Sequence, residues 1–287
     1  MEYTVNKIMF TLVAVGVLVF PTNTIAHQPR IPEGSQTVVP EPEISKAYYS
    51  KLEGEPHSYR ISSDKPFALY VNVLVPDIAD QNKDVSAAII MDGKTNVPLT
   101  VLDGTNFNWQ KFHEPFGNDN YWQGPEFKQD VPAGNYEIRV WSSNNNSKYS
   151  LAIGEREAFD LKETINAIRL IPKIKREFFD EATAGFILSP FGLGYVAVMY
   201  ILAFVFGFVY RLLMKRVAIS SLRGLGKNIG FTDRWLRVAI GLVLFIVAII
   251  TTWNAILLFL SGFCFFEAIF SWCGLYAIIG RNNCPID

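Results

Sequence analysis

The residue types best suited to binding or catalysis concentrate in one segment, between Phe107 and Phe127. Aromatic rings offer apolar faces to sugars and peptides, and long loops on β scaffolds commonly carry binding sites. The sequence therefore predicts a long inter-strand loop that binds a glycan or peptide, unless its rings only pack over the neighbouring strands. The ligand-binding candidates are Trp109, Phe112, His113, Phe116, Tyr121 and Trp122.

Acidic residues and a histidine in the same segment raise the alternatives of metal binding and catalysis. His113, Glu114, Asp119 and Glu126 could ligate a hard metal ion, but they match no motif with fixed ligand spacing. His57 and His113 also lack a serine or cysteine in a recognised nucleophile motif. We therefore predict no metal, no cofactor and no catalytic residue, and we favour a non-enzymatic role.

The composition narrows the class of protein. Of the 287 residues, 50% are hydrophobic and 18% are charged, and the net charge is -1. This balance excludes a disordered or nucleic-acid-binding polyelectrolyte, so no nucleic acid partner is expected. Three cysteines in this length exclude a disulfide-dense mini-protein.

Apolar segments predict export followed by membrane insertion. Residues 1–26 contain a cation, a short apolar stretch and a helix-breaking proline, which is typical of a secretory signal peptide rather than an uncleaved anchor. Residues 186–211 are predicted to form a transmembrane helix, because they are long and apolar enough to cross a bilayer. Ala203 and Gly207 in this helix either admit a close helix neighbour or reflect the general frequency of small residues in such helices.

The apolar block from Val238 to Gly280 is too long for a single span. We expect it to turn at residues 251–254 and to form two helices, from about Trp235 to Ile250 and from about Ala255 to Gly280. Together with the helix at residues 186–211, these two helices form an all-α transmembrane region of three helices. The helical pair and a short tail occupy residues 235–287. The expected partners are the lipid bilayer and either a second copy of the chain or another helix.

Basic residues indicate the orientation. Residues 212–234 form a basic loop that should stay in the cytoplasm together with residues 281–287, because Lys and Arg are retained on that side. Residues 27–185 should then be periplasmic or extracellular, on a bacterial inner membrane. They hold 17 basic and 23 acidic residues, a net charge of -6, and no cysteine, which suits an oxidising compartment.

The exported region is predicted to be an antiparallel β-sandwich over residues 51–156, preceded by a linker at residues 27–50. Six short segments rich in Val, Ile and aromatic residues, punctuated by turn residues, carry this prediction. They are Ser58–Ile61, Phe67–Val75, Ser86–Met91, Pro98–Leu102, Tyr136–Ser142 and Tyr149–Ile153. The stretch Ala133–Val140, followed by a polar turn and Lys148–Leu151, resembles the closing hairpin of jelly-roll-like domains that follow bacterial secreted peptidases. That resemblance implies binding, folding or spacing rather than catalysis.

Residues 157–185 predict an amphipathic helix, because Ile168, Ile171, Ile174 and Phe178 recur near one face. The helix either lies on the outer membrane surface as a stalk or packs against its own sandwich. A proline within it should produce a kink.

A motif near the C-terminus carries a more specific resemblance. Residues 228–241 contain the pattern Asn-x-Gly-x-x-Asp-Arg-x-x-Arg-x-x-x-Gly, and residues 283–285 read Asn-Cys-Pro. This region, about residues 223–287, resembles the YgaP-like two-helix transmembrane family. The residues of interest are Asn228, Gly230, Asp233, Arg234, Arg237, Gly241, Glu267, Cys273, Cys284 and Pro285. Gly274 stands where the family has a proline. The family's pair is best known behind a sulfurtransferase domain, but this chain has no such catalytic loop.

The motif also has a physical interpretation. Asp233 should cap the second helix and pair with Arg234 or Arg237, and Gly241 should permit close helix packing. Glu267 should lie in the hydrocarbon region without a basic partner in the spans, and should face a helix, a neighbouring subunit or water.

These features predict a membrane-anchored envelope protein whose exported sandwich serves as a binding or scaffolding module. The alternative is a small transport or thiol-redox component that uses Glu267, Cys273 and Cys284.

Overall fold

The computed structural model describes residues 27–92, 97–217 and 226–284. The predicted signal peptide, part of the predicted basic loop and Pro285 lie outside the described residues. The chain divides into two compact units, which we call the sandwich unit, within residues 23–186, and the helical unit, within residues 187–287.

The sandwich unit contains, in its described residues, eleven strands in two sheets. The strands are β1 (Gln28–Arg30), β2 (Gln36–Val38), β3 (Lys46–Lys51), β4 (His57–Ser63), β5 (Phe67–Pro76), β6 (Ser86–Met91), β7 (Thr100–Leu102), β8 (Gln110–Glu114), β9 (Asp119–Val131), β10 (Gly134–Trp141) and β11 (Lys148–Ile153). The six-stranded sheet has the order β1-β3-β11-β5-β9-β8, and the five-stranded sheet has the order β2-β4-β10-β6-β7. The two N-terminal strands pair in parallel with β3 and β4, and the other pairs are antiparallel.

Alternating side chains place the core between the two sheets. In β5, Leu69, Val71 and Val73 are fully buried in the core, whereas Tyr70 and Asn72 point to the outer face of the six-stranded sheet because successive residues of a strand face opposite sides. All six predicted strand segments overlap strands of the structure. The strand-like pattern of Val, Ile and aromatic residues in the sequence is therefore sufficient to identify the main strands of this sandwich.

Two predictions about the sandwich unit are wrong. Residues 27–50, predicted as a linker, contain β1, β2 and β3; the first two are only three residues long, too short to show an alternating pattern. Residues 107–127 are not a long loop, because β8 and β9 form a hairpin in which Phe112 pairs with Tyr121 and Lys111 pairs with Trp122. Polar residues of low strand propensity dilute the aromatic pattern in this hairpin.

A helix, α1 (Leu161–Glu177), packs on the outer face of the six-stranded sheet. Asp160 caps it by accepting a hydrogen bond from the Glu163 amide at 2.7 Å. Ile174 and the following Phe178 join a cluster with Leu74 of the sheet. Of the two alternatives for this helix, packing against its own sandwich is therefore the one that the structure shows.

The helical unit contains four α-helices in its described residues, after a short 3-10 helix at Thr183–Leu188 that spans the boundary between the units. They are α2 (Pro190–Val217), α3 (Phe231–Ile250), α4 (Ala255–Phe270) and α5 (Gly274–Ile279). Among the described residues, one helix is long and apolar enough to cross a membrane, over residues 190–214, and α4 is a shorter apolar helix. The predicted continuous helix to Gly280 is wrong, because a left-handed Ser271 (φ 50°) ends α4.

Small residues bring α2 close to α4. Ala203 is fully buried, and a Cβ at Gly262 would lie 3.1 Å from its Cβ. A Cβ at Gly207 would lie 2.5 Å from the ring of Phe266. Of the two interpretations of this pair of small residues, close approach of a second helix is therefore the one that the structure shows.

Candidate functional site

The most distinctive site of the sandwich unit is a cleft on the outer face of the six-stranded sheet, beside α1. We call it the outer-face cleft. Its volume is about 220 Å³. Its aromatic and carboxylate side chains are Tyr49, Tyr70, Phe112, Glu114, Phe116 and Tyr121, and Asn72, Gln123 and Ser150 add amide and hydroxyl groups.

The β8–β9 hairpin positions the acidic side of the outer-face cleft. Glu114 ends β8, and its two carboxylate oxygens accept hydrogen bonds from the backbone amides of Phe116 and Gly117, each at 2.7 Å. Burial raises the pKa of Glu114 to about 7, although these two hydrogen bonds act in the opposite direction. The turn therefore holds a carboxyl group that changes its charge near neutral pH.

A buried ion pair fixes the same hairpin to α1. The Lys175 ammonium, which is fully buried, donates to Asp119 Oδ1 at 2.6 Å. Burial raises the pKa of Asp119, and the neighbouring Lys175 partly offsets that rise. Asp119 is therefore engaged in holding the hairpin on the helix and is not a free ligand in the cleft.

Tyrosine hydroxyl groups fix the position of the aromatic walls. The hydroxyls of Tyr49 and Tyr121 lie 3.0 Å apart, and the Tyr70 hydroxyl donates to Glu126 Oε2 at 3.2 Å. Burial raises the pKa of each of these phenols above its usual value. These tyrosines therefore stay neutral at physiological pH and supply rings and hydroxyl groups.

The structure divides the six predicted ligand-binding residues. Phe112, Phe116 and Tyr121 line the outer-face cleft. Trp109 is 8% exposed, belongs to the core between the sheets, and donates from Nε1 to the Gly104 carbonyl at 2.8 Å. The remaining two, His113 and Trp122, do not line the cleft.

Trp122 and His113 lie outside the cleft. The Lys83 ammonium lies 3.8 Å from the centroid of the Trp122 ring, and Trp122 Nε1 donates to Asp77 at 2.9 Å. His113 Nδ1 lies 3.0 Å from Asn120 Oδ1 on the exposed side of the hairpin. The sequence prediction missed Tyr49, Tyr70 and Asn72 as cleft residues, because they come from β3 and β5, which lie far from the hairpin in the sequence.

The residues considered for a hard metal ion do not form a site together. Glu114 binds backbone amides, Asp119 binds Lys175, and Glu126 binds Tyr70. Among the described residues, no group of three or more His, Cys, Asp or Glu side chains could hold a metal ion.

A second cleft of about 410 Å³ contains His57 and Ser50. Ser50 Oγ lies 3.3 Å from His57 Nδ1, but the hydroxyl of Tyr149 lies closer to the same nitrogen, at 2.8 Å. Tyr149 in turn lies 2.8 Å from the buried Tyr59 hydroxyl. Because His57 Nδ1 is engaged by a buried tyrosine pair, this array holds the two sheets together rather than activating Ser50.

In the helical unit, the motif residues form one interlocked set of contacts. Arg237 Nε donates to Glu267 Oε2 at 2.8 Å, which joins α3 to α4. Arg234 Nε donates to the Ala268 carbonyl at 2.8 Å, and so satisfies a carbonyl of the last turn of α4. The prediction that Glu267 lacks a basic partner is wrong, because sequence cannot show that α3 and α4 place it opposite Arg237.

The remaining polar motif residues fix the breaks between helices. Asn228 Oδ1 accepts from the Cys273 amide at 2.7 Å, and its Nδ2 donates to the Cys273 carbonyl at 2.9 Å. Asp233 accepts from Asn283 Nδ2 at 2.9 Å. The prediction that Asp233 caps the second helix is wrong, because Gly230 occupies the N-cap position. The predicted pairing with an arginine is found only at the backbone, where Arg237 Nη1 donates to the Asp233 carbonyl at 3.3 Å.

The glycines of the motif mark close approaches. A Cβ at Gly241 would lie 3.3 Å from Cys264 Cβ, and Ser261 Oγ donates to the Gly241 carbonyl at 2.8 Å. A Cβ at Gly274 would lie 2.0 Å from the ring of Tyr210 in α2. A side chain at position 274, where the related family has a proline, would therefore require the Tyr210 ring to move.

The cysteines of the described residues are free thiols. Cys273 is buried, and Cys264 and Cys284 are partly exposed. The Asn228 side chain bonds to both the backbone amide and the backbone carbonyl of Cys273. These two hydrogen bonds hold Cys273 at the break between α4 and α5.

These features define a membrane protein that combines a β-sandwich with a helical membrane segment. Residues 225–287 match the family described as inner membrane protein YgaP-like, transmembrane domain. This match confirms the resemblance found in the motif, and it covers about a fifth of the chain. No curated protein matches the sequence.

Several solved structures are similar to part of the chain. One is the pre-peptidase C-terminal domain of a collagenase from Bacillus anthracis, at 7% identity and a TM-score of 0.26, covering 46% of this chain and 98% of that one. Another is a surface-associated copper-binding protein, CorA, of Methylomicrobium album BG8, at 7% identity and a TM-score of 0.24, covering 45% and 100%. A third is a β-glucosidase from Paenibacillus barengoltzii, at 9% identity and a TM-score of 0.21, covering 44% of this chain and 13% of that one.

Proposed function

We propose that the protein is a membrane-anchored envelope protein whose exported sandwich unit binds a small ligand in the outer-face cleft without converting it. The observation that carries this proposal is the cleft itself, in which aromatic rings and a few convergent polar groups surround a partly buried carboxyl group. Such a combination is typical of small-ligand sites.

Membrane anchoring is supported by two independent features. Residues 225–287 match an inner membrane family, and residues 190–214 form a helix of sufficient length and apolarity to span a bilayer. The basic residues of the predicted loop at 212–234 and the predicted signal peptide favour a cytoplasmic loop and an exported sandwich. The proposed location is therefore the bacterial inner membrane, with residues 27–185 outside the cytoplasm.

The chemistry of the outer-face cleft favours binding over turnover. Both carboxylate oxygens of Glu114 accept hydrogen bonds from backbone amides, and the hydroxyl groups of Tyr49 and Tyr121 bond to each other. Among the described residues that line the cleft, Glu114 is the only carboxylate, so the paired carboxylates that glycosidic hydrolysis commonly uses are not found there.

The alternative of a transport or thiol-redox component rests on Glu267, Cys273 and Cys284. Glu267 pairs with Arg237, and Asn228 fixes the backbone of Cys273. These contacts favour a structural role for two of the three residues, so binding by the sandwich unit is the better supported function.

Small molecules that copurify with the full chain test the proposal. Ser150 is a small residue in the outer-face cleft, so Ser150→Phe should block the site. Ser62→Phe is the matched control, because Ser62 is an exposed residue of β4 in the other sheet. We expect a compound to copurify with the wild type and Ser62→Phe but not with Ser150→Phe. The same compounds at the same amounts in all three preparations would contradict the proposal.

A further inference from the structure

The outer-face cleft combines a carboxylate with aromatic walls and has no cation of its own. Among the described residues that line it, there is no Lys or Arg. His27 also lines it, and burial lowers the pKa of that imidazole to about 4, so it is neutral near pH 7. When Glu114 is ionised, two backbone amides stabilise its negative charge, and no Lys or Arg among the described lining residues pairs with it.

The charged groups around Glu114 are engaged elsewhere. On the hairpin, Asp119 pairs with Lys175 of α1, and this lysine also lies 3.8 Å from Glu181. His113 bonds to Asn120 on the exposed side. Of these groups, only His113 acts on Glu114 as a positive charge, and it lies outside the cleft.

Aromatic rings add a second preference for positive charge. Phe112, Phe116 and Tyr121 lie on the same side of the sheet as Glu114, and the Phe112 and Tyr121 rings are 6.2 Å apart at their centroids. The faces of such rings attract cations, and quaternary ammonium groups in particular are recognised by aromatic walls. An ammonium group in the cleft would contact both the carboxylate and the rings.

Building on the proposed binding function, we propose that the ligand of the outer-face cleft is a small organic ammonium ion, with its positive charge at Glu114 and its alkyl groups against Phe112, Phe116 and Tyr121. The cleft volume of about 220 Å³ is suited to a small head group rather than a long chain. The ammonium group belongs either to a free small molecule or to a lipid head group, because both present the same chemistry.

The binding should strengthen with pH. Because the pKa of Glu114 is about 7, the carboxylate is ionised in only about a tenth of the molecules at pH 6 and in about nine tenths at pH 8. The apparent Kd of an ammonium ligand should therefore fall by about tenfold over this interval.

Titration of the full chain in an uncharged maltoside detergent tests the proposal, with choline as the probe and its uncharged carbon isostere dimethylbutanol as the control. We expect choline to bind at least tenfold more tightly than the isostere at pH 8. Glu114→Gln should remove this preference while leaving the binding of the isostere within about twofold. Phe112→Leu, at a partly exposed position, should weaken choline about two- to fivefold and serves as a second variant that leaves the turn at Glu114 intact.

Two lipid environments distinguish the sources of the ammonium group. In nanodiscs at high salt, which screens the surface charge of the anionic lipid, weaker choline binding with phosphatidylcholine than with phosphatidylglycerol would identify a competing lipid head group, and equal binding would identify a free ion. Either result agrees with an ammonium ligand. Equal affinity for choline and its isostere, unchanged in Glu114→Gln, would overturn the ammonium class while leaving a binding cleft. Failure of choline to bind at pH 8 would also overturn it, and copurification blocked by Ser150→Phe would still test the cleft itself.

Discussion

Arg237 and Glu267, thirty residues apart in the sequence, form an ion pair with an N–O distance of 2.8 Å between α3 and α4. Their side chains are only 12% and 11% exposed, so either one would be left as a nearly buried charge if its partner were removed. This pair lies in the part of the chain that matches the YgaP-like family.

Removal of one partner should therefore destabilise the helical unit more than removal of both. Glu267→Leu should cost roughly 3–5 kcal/mol, whereas the double variant Arg237→Leu with Glu267→Leu should recover much of that loss. Thermal unfolding of the full chain in detergent measures both. A loss in the double variant equal to or larger than the sum of the two single losses would show that the pair does not act as a unit.

The buried ion pair between Lys175 and Asp119 should stabilise the sandwich unit. Lys175→Met would leave Asp119 buried and unpaired, at a cost of roughly 3–5 kcal/mol. Lys173→Met on the same helix is the matched control, because Lys173 is 48% exposed and lies 3.8 Å from Glu177; its cost should stay below about 1 kcal/mol. Chemical unfolding followed by near-ultraviolet circular dichroism gives both values, and equal losses would contradict the assignment.

Glu114 should make the stability of the sandwich unit depend on pH. Its pKa is about 7 in the folded protein against an ordinary value of 4.5, so the folded state binds more protons between these values. The contribution is fully present below pH 4.5 and is lost as the pH rises to 7, by at most about 3 kcal/mol. The difference in unfolding free energy between wild type and Glu114→Gln should therefore change between pH 5 and pH 8 in favour of the variant. A constant difference would show that the carboxyl group titrates normally.

Gly274 should tolerate no side chain while Tyr210 is present. Gly274→Ala should destabilise the helical unit by about 1–3 kcal/mol, because its Cβ would lie 2.0 Å from the tyrosine ring. Gly226→Ala is the control, since a Cβ there meets nothing within 4 Å. In a Tyr210→Ala background, Gly274→Ala should lower the free energy of unfolding only slightly further. Equal losses with and without the tyrosine would refute this explanation of the departure from the family pattern.

The sequence predicts the strands that face the core but not the contacts between distant segments. The regular alternation in β5 is sufficient to identify that strand, because one face is buried against the second sheet. The sequence predicts a loop in place of the β8–β9 hairpin, because the aromatic residues of the hairpin divide between two faces and polar residues interrupt the alternation. The pairs Arg237–Glu267 and Lys175–Asp119 depend on which helix meets which element, which periodicity does not specify.

The same reasoning applies to the outer-face cleft. Phe112, Phe116 and Tyr121 could be predicted because aromatic residues clustered near a turn are suited to binding. Trp109 could not be separated from them, because its burial depends on packing near Gly104 between the sheets. Tyr49 and Tyr70 come from strands distant in sequence, and they enter the cleft only because β3, β5 and β9 share one sheet.

The location of the sandwich unit outside the cytoplasm is the central claim, and labelling of introduced cysteines with a membrane-impermeant thiol reagent in intact spheroplasts tests it most directly. The sandwich unit has no native cysteine, so Ser62→Cys, at an exposed position of β4, reports on that unit alone, while Lys227→Cys, also exposed, reports on the basic loop. Labelled peptides are located by mass spectrometry, with permeabilised cells as the control. We predict modification at position 62 in intact spheroplasts and at position 227 only after permeabilisation. Modification at position 227 but not at position 62 in intact spheroplasts would contradict an exported binding module.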